Sequence, residues 1–254
     1  MDIKLLAKKI LFWVSVPKCI FCGEKLDFLD RALCSQCRER YEQHKSRNCS
    51  RCSKELRYCT CSNEYLRSHS IKRHLKMFRY IHNEATEAAN QLIYSLKQDN
   101  REDVIDFLAD ELAGVINYNL DLSSGPYIIT NVPRSRKSTV NYGFDHTEQL
   151  ARCISKKTGL NYKRVFVSNV KRKQKGLTKI ERVQNATYDY KKNFNGDLSG
   201  CRLIIVDDVT TSGATLSACA VLAKGLRAKE VIALTVASAY NDEYEKRIEK
   251  RDKP

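Results

Sequence analysis

Leu203-Ile204-Ile205-Val206-Asp207-Asp208-Val209-Thr210-Thr211-Ser212-Gly213-Ala214-Thr215 decides how the chain is read. Four apolar residues form a buried strand and deliver two carboxylates to its C-terminal end, where ligands bind in open α/β sheets. A hydroxyl-rich loop follows and turns at Gly213 into an apolar helix expected over Ala214 to Leu226. The loop amides, the Thr and Ser hydroxyls and the helix N-terminus form a phosphate cradle.

Two carboxylates beside a phosphate site are electrostatically odd unless they address hydroxyl groups. Asp207 and Asp208 fit as acceptors for two ribose hydroxyls while the loop holds a 5-phosphate. An acidic pair that merely ends a strand, or binds a divalent metal alone, is the blander alternative. The whole string is far more specific than a lone glycine-rich loop.

Around this segment the pattern alternates. Helical spacing runs through 83–98 (Ala88, Leu92, Leu96) and 101–118 (Val104, Leu108, Leu112), with Asn100 as a cap between them. Tyr127 to Val132 reads as a short buried strand, 144–158 as a helix, Tyr162 to Val170 and Val231 to Ala237 as strands. Thr178 and Glu181 have capping-box spacing. The expected fold class is α/β, a mainly parallel sheet covered on both faces. Residues 67–254 form this part and residues 1–66 a separate cysteine-rich module.

Eight of the eleven cysteines fall in that module: Cys19 and Cys22, Cys34 and Cys37, Cys49 and Cys52, Cys59 and Cys61. A C-x-x-C turn lets two thiolates converge on one ion, and two such turns complete a tetrahedral Zn²⁺ shell. Two zinc sites of four thiolates each follow, with the knuckles paired either sequentially or interleaved. Cys59-Thr60-Cys61 is tighter than the usual spacing, so a histidine such as His69 is a substitute ligand there. Gly23, after Cys22, suits a knuckle that needs positive φ. Disulfides fit poorly, because Lys8-Lys9 and the run Ile10 to Val16 are followed by Pro17-Lys18 without a cleavage site. A cytoplasmic location is expected, and no run of eighteen apolar residues is present to span a membrane. Cys153, Cys201 and Cys219 lie in periodic or apolar stretches and read as core residues.

The formal charge of +15 is regional. Between 131 and 192 there are 16 basic and 4 acidic side chains. Two all-thiolate zinc sites bring the cysteine module's own formal charge down to about +1, which argues against a strongly basic DNA-gripping finger. The basic belt has two explanations: neutralising a bound diphosphate and its Mg²⁺, or holding a nucleic-acid backbone. Tyr142, Phe144, Tyr162 and Tyr188 are candidates for stacking bases and equally for core positions.

The phosphate-loop string is similar to the binding motif of type I phosphoribosyltransferases, and the whole chain resembles the ComF family of competence proteins. The cysteine knuckles, Tyr80 with Leu96-Lys97, Val132-Pro133, Gly143-Phe144, Gln174 with Leu177, Glu181-Arg182 and Asn185 carry the likeness. The resemblance implies binding of phosphoribosyl pyrophosphate with Mg²⁺, single-stranded DNA and competence-machinery proteins as partners, and structural zinc. It implies that Pro133, Arg134 and Ser135 line the pyrophosphate side and that Lys171 to Lys175 belong to a mobile flap. In a transfer reaction to an unidentified nucleophile, Asp207 and Asp208 would hold the ribose, Thr211 to Thr215 the 5-phosphate and Arg134 the pyrophosphate. The family usually shows Arg-Gly-Phe-Asn-Gln where this chain has Tyr142-Gly143-Phe144-Asp145-His146, so no family role is carried over to those positions. Ser212 in place of the commoner threonine keeps the hydroxyl.

Overall fold

The computed structural model describes residues 17–80, 88–98, 101–135, 139–140, 143–169, 188–191, 194 and 196–239. Its centre is a five-stranded sheet in the order β1-β7-β6-β2-β3, parallel throughout. The strands are β1 (Ile71–Tyr80), β2 (Tyr127–Asn131), β3 (Asn161–Tyr162), β6 (Arg202–Thr210) and β7 (Glu230–Ala239). A separate antiparallel pair joins β4 (Phe166–Ser168) to β5 (Tyr188–Tyr190).

Strand alternation sorts the side chains of the sheet into two cores. On one face Ile129, Ile204, Val206, Ile232 and Leu234 join Leu92 and Leu96 of α3 (Ala88–Gln98) and Leu108 and Leu112 of α4 (Glu102–Asn119). Leu150 and Ile154 of α5 (His146–Thr158) complete that layer. On the other face Ile128, Leu203, Ile205, Val231 and Ala233 meet Leu216, Cys219, Ala220 and Ala223 of α6 (Ala214–Gly225). Helices on both faces are why β6 and β7 read as nearly continuous apolar runs.

The expected strand over 162–170 divides into β3 and β4. Position Arg101 caps α4 without a side-chain bond, and Asn100 lies outside the described residues. So do the Thr178–Glu181 capping box, Lys171 to Lys175, Gln174, Leu177, Arg182, Asn185, Tyr142 and the segment before Pro17. β1 was not anticipated. Its charges at Lys72, Arg73, His74, Lys76 and Arg79 mask a strand whose interior, His74 to Phe78, is nonetheless buried. The cysteine segment covers part of the strand: Lys76 Nζ donates to Cys61 O, Arg79 to Asn48 O and His74 N to Thr60 O, while Lys72 stays exposed.

That segment shares the sheet's core. Helix α1 (Ser35–Lys45) inserts Tyr41 between Phe78 and Phe107, with both ring centroids 5.2 Å away. Lys45, almost buried, reaches Glu111 on α4 at 2.6 Å. Short helix α2 (Glu64–Ser68), capped by the Asn63 side chain at Leu66 N, brings Leu66 into the other core. The cysteine segment thus touches both layers. No helix among the described residues is long and apolar enough to cross a membrane.

Candidate functional site: a carboxylate pair, a phosphate loop and two cysteine clusters

The eight N-terminal cysteines gather sequentially. The Sγ atoms of Cys19, Cys22, Cys34 and Cys37 lie within 4.8 Å of one another, as do those of Cys49, Cys52, Cys59 and Cys61. A Zn–S distance of about 2.3 Å puts sulfurs of a tetrahedral shell about 3.8 Å apart, and Cys22 Sγ lies 3.7 Å from Cys34 Sγ. The donor sets fit zinc. Each cluster opens on a tight hairpin, with Gly23 N donating to Cys19 O and Ser53 N to Cys49 O. Gly23 has φ +72° as the knuckle requires, and Ser53 takes the matching turn at φ 56°.

Donors surround the sulfurs in the way thiolate ligands require. Cys34 N points at Cys19 Sγ, Cys61 N at Cys59 Sγ and the Arg40 guanidinium at Cys37 Sγ. Burial works against ionisation of Cys19, yet amides of Cys22, Cys34 and Phe21 bring it down to about 7. The hydrogen bond from Cys59 draws Cys49 to about 4 and raises its donor. His69 is no ligand: it stacks on Tyr65 and its Nδ1 lies 2.8 Å from Tyr65 O. The Cys59-Thr60-Cys61 spacing suffices because the chain then pairs into β1, where Cys61 bridges Arg73 and His74 N donates to Thr60 O.

At the other end of this segment, α2 packs on the phosphate loop. Gly213 has φ +88°, and a Cβ there would come within 2.7 Å of Leu66 Cδ2. Ser212 Oγ accepts from Ala214 N at 3.3 Å, closing the first turn of α6. Thr210 and Ser212 are buried, while Thr211 and Thr215 are partly exposed. Both the loop conformation and the cysteine segment therefore demand glycine. Gly213→Ala is expected to cost about 2 kcal/mol through the left-handed backbone and displacement of Leu66, which a thermal melt would record.

The two carboxylates at the end of β6 have different surroundings. Asp208 Oδ2 lies 2.6 Å from His146 Nε2 and 3.0 Å from Lys97 Nζ. Burial alone would raise Asp208, but the Lys97 charge and the His146 hydrogen bond outweigh it and hold the carboxyl well below its usual range. Asp207, with burial and the Asp208 charge against it, is pushed up. Its own carboxylate accepts from Asp208 N at 2.9 Å. One carboxylate is thus fixed as an anion while its neighbour is held closer to neutrality.

On the next strand, Val132 N donates to Val206 O and extends β2 into the segment Pro133, Arg134, Ser135. Asp145 ties that segment down. Its Oδ1 caps α5 by accepting from Thr147 N and Glu148 N, and its Oδ2 accepts from Arg134 N at 3.0 Å. Asp145 and His146, two of the three departures in the sequence, are therefore both at the site; the third, Tyr142, lies outside the described residues. Asp145 positions Arg134 and His146 holds Asp208.

Sequence reasoning left Lys97, Asp145 and His146 without roles. The cap spacing of Asp145 and Glu148 was legible, but the approach of α3 and α5 to the end of β6 is a tertiary fact. The basic belt is also partly neutralised. Lys157 pairs with Asp106 and Asp110 on α4, and Arg152 and Arg164 both pair with Glu148. Tyr162 is half-buried, its hydroxyl on Asn131 Oδ1 at 2.7 Å and Arg152 stacked over its ring. Tyr188 and Phe144 are partly buried as well.

Several solved structures are similar over about half of the chain. Hypoxanthine phosphoribosyltransferase of Staphylococcus aureus aligns with 54% of this chain and 67% of its own at 10% identity and TM-score 0.36. Purine phosphoribosyltransferase of Pyrococcus horikoshii aligns with 54% of this chain and 82% of its own at 18% identity and TM-score 0.33. No curated protein matches the sequence. Residues 147–253, which carry β6, the phosphate loop, α6 and β7, match the phosphoribosyl transferase domain family, so this parallel α/β sheet is of the phosphoribosyltransferase type.

Proposed function

We propose that the protein binds phosphoribosyl pyrophosphate with Mg²⁺ at the end of β6 and handles single-stranded DNA in the manner of ComF-type proteins of natural transformation. The observation that carries the first half is the arrangement of Asp207 and Asp208 near the end of β6, one residue before the Thr210-Thr211-Ser212-Gly213 passage into α6. In this reading Thr211, Ser212, Gly213, Ala214 and Thr215 hold the 5-phosphate. The carboxylates accept ribose hydroxyls, and Pro133, Arg134 and Ser135, tethered by Asp145, face the diphosphate. Mg²⁺ offsets the diphosphate charge when bound.

Asp208 is already engaged before a ligand arrives. Its Lys97 and His146 partners already satisfy one oxygen, so ribose hydroxyls compete with, or add to, an existing ion pair. The residues best placed to tune affinity are thus Lys97 and His146 as well as the loop.

The second half rests on charge between 131 and 192. Phosphate contacts there would make affinity fall steeply with salt. Fluorescence anisotropy with a short labelled oligodeoxythymidine checks this. The expected result is a loss of at least about tenfold between 50 and 200 mM salt, with binding retained in Asp207→Ala/Asp208→Ala. Equal loss of DNA and phosphoribosyl pyrophosphate binding in that variant would refute a separate DNA belt.

Transfer of the phosphoribosyl group to an unidentified nucleophile is the second reading. It is favoured by open space beside the phosphate loop, on the β7 side of β6.

A further inference from the structure

His74, near the centre of β1, is 1% exposed and sits beside the buried apolar residues Leu75, Met77 and Phe78. An imidazole is costlier to bury there than a leucine unless hydrogen bonds compensate it. The ring finds them across the sheet. β1 pairs with β7, and β7 with β6. Reaching over β7, His74 Nε2 lies 2.8 Å from Thr235 Oγ1 on that strand and 3.3 Å from Thr210 Oγ1 on β6.

Thr210 is where the phosphate loop begins. It is the last residue of β6, 1% exposed, and its register partner on β7 is Ser238. Its hydroxyl faces His74, so among the loop's threonines it is Thr211 and Thr215, both partly exposed, that a phosphate can meet. Beyond Thr210 the loop has two further anchors, Leu66 against Gly213 and Ser212 Oγ on Ala214 N. His74 secures the entrance, Leu66 the turn and Ser212 the exit.

The backbone of the same residue meets the second cysteine cluster. His74 N donates to Thr60 O at 3.0 Å, between Cys59 and Cys61. Its carbonyl accepts from Lys76 Nζ at 3.1 Å, and that ammonium also reaches Cys61 O. One residue thus joins the cysteine cluster to the first residue of the loop, its amide on one and its ring on the other.

We infer that His74 is a positioning residue for the phosphate loop: by holding Thr210 Oγ1 it sets the direction in which the chain leaves β6, and with it the aim of the amides of residues 211–215. The ligand, a phosphate monoester on a ribose, rests on the function proposed above; the anchoring contacts do not. Amides bind a phosphate well when they are already aimed, because a loop ordered only on binding loses part of the interaction to its own ordering. An apolar residue at 74 would leave the buried Thr210 hydroxyl without this partner. The loss would then fall on affinity as well as on stability.

The test is calorimetric titration of the zinc-loaded full chain with ribose 5-phosphate, which carries the phosphate and the ribose without the diphosphate. His74→Leu is expected to weaken binding about tenfold, and Thr210→Val, which deletes only the hydroxyl, by a similar factor. His74→Gln, whose amide can serve the same hydroxyl, is expected to recover most of the affinity. The double variant His74→Leu/Thr210→Val is expected to bind no more weakly than the weaker single variant, since both remove one contact. Thr235→Val removes the other partner of Nε2 and is the structural control, expected to lower the melting temperature while affinity stays close to that of the parent chain. If His74→Leu does not fold, Thr210→Val against Thr235→Val decides alone. Unchanged affinity in His74→Leu and Thr210→Val would overturn the inference, as would additive losses in the double variant or equal losses in Thr210→Val and Thr235→Val. Failure of the folded parent chain to bind ribose 5-phosphate would overturn the phosphate-loop reading itself, and the positioning role with it.

Discussion

Asp207→Asn is expected to stabilise the ligand-free protein and Asp208→Asn to destabilise it, although both lose affinity for a phosphoribosyl ligand. The difference follows from their partners. Asp208 is held ionised by Lys97 and His146. Removing its charge leaves a nearly buried imidazole and an ammonium facing a neutral amide in place of their anion, at a cost of about 2 kcal/mol. Lys97 is about one-third exposed, with 34% side-chain exposure, which keeps the cost below that of a fully buried pair. Asp207 has no cation of its own at comparable range among the described residues, and burial and Asp208 oppose its ionisation. An amide there relieves about 1 kcal/mol at neutral pH.

The pH dependence separates the two further. A carboxyl whose folded value is raised binds more protons folded than unfolded, so stability falls as pH rises from about 4 toward that folded value. The stabilising effect of Asp207→Asn therefore grows through this window. Asp208 has the opposite sign: its contribution is present above about pH 4 and disappears as pH falls through its depressed folded value. Melts of both variants between about pH 2 and 8 check this: the Asp207→Asn difference changes above about pH 4 and the Asp208→Asn difference below it. A destabilised Asp207→Asn at pH 7 would contradict the assigned surroundings.

The second large effect is removal of zinc. Structural zinc in small fingers is worth about 10–16 kcal/mol, comparable with or above the roughly 5–15 kcal/mol that holds a whole domain together. Here the clusters are not peripheral. Cys19 and Cys37 belong to the same core as Phe107 and Leu234, and Lys76 of β1 reaches both Cys59 Sγ and Cys61 O. Chelation is expected to release two zinc ions per chain and to melt β1 along with the cysteine segment. Cys37→Ser is expected to retain one ion and lose the Tyr41 contacts. Cys59→Ser is expected to retain one ion and loosen the phosphate loop through α2. Metal analysis with amide exchange on β1 measures all three. Two retained ions in Cys59→Ser, or a β1 unaffected by chelation, would contradict the shared core.

The parts of the fold built on local periodicity were legible. β2, β6, β7, α4, α5 and α6 lie close to where apolar spacing put them, because each buries a continuous face. β1 was not legible, since Lys72, Arg73, His74 and Lys76 look like a solvent-facing run, whereas only Lys72 is exposed; Arg73 pairs with Glu230, Lys76 reaches Cys61 O, and His74 turns into the sheet. His74 shows how. It is fully buried, with Nε2 2.8 Å from Thr235 Oγ1 and 3.3 Å from Thr210 Oγ1. Burial and the Lys76 charge hold it well below its usual value, so it is neutral.

At the site, sequence marked the groups that belong to one contiguous string, Asp207 through Thr215, and the cysteines with their regular spacing. It could not show Lys97 and His146 meeting Asp208, since three separate elements have to converge for that. Nor could it choose between sequential and interleaved knuckles. That choice is tertiary: Ile20 N donates to Ala32 O and Cys34 N to Cys19 Sγ, joining the first two knuckles.

The central claim is a phosphoribosyl pocket at the end of β6. Isothermal titration of zinc-loaded protein with phosphoribosyl pyrophosphate and Mg²⁺, beside Asp207→Ala/Asp208→Ala, addresses it directly. Micromolar binding to the parent chain and none to the double variant is the expected result. Absence of binding to the folded parent chain, or equal binding to both, would contradict it.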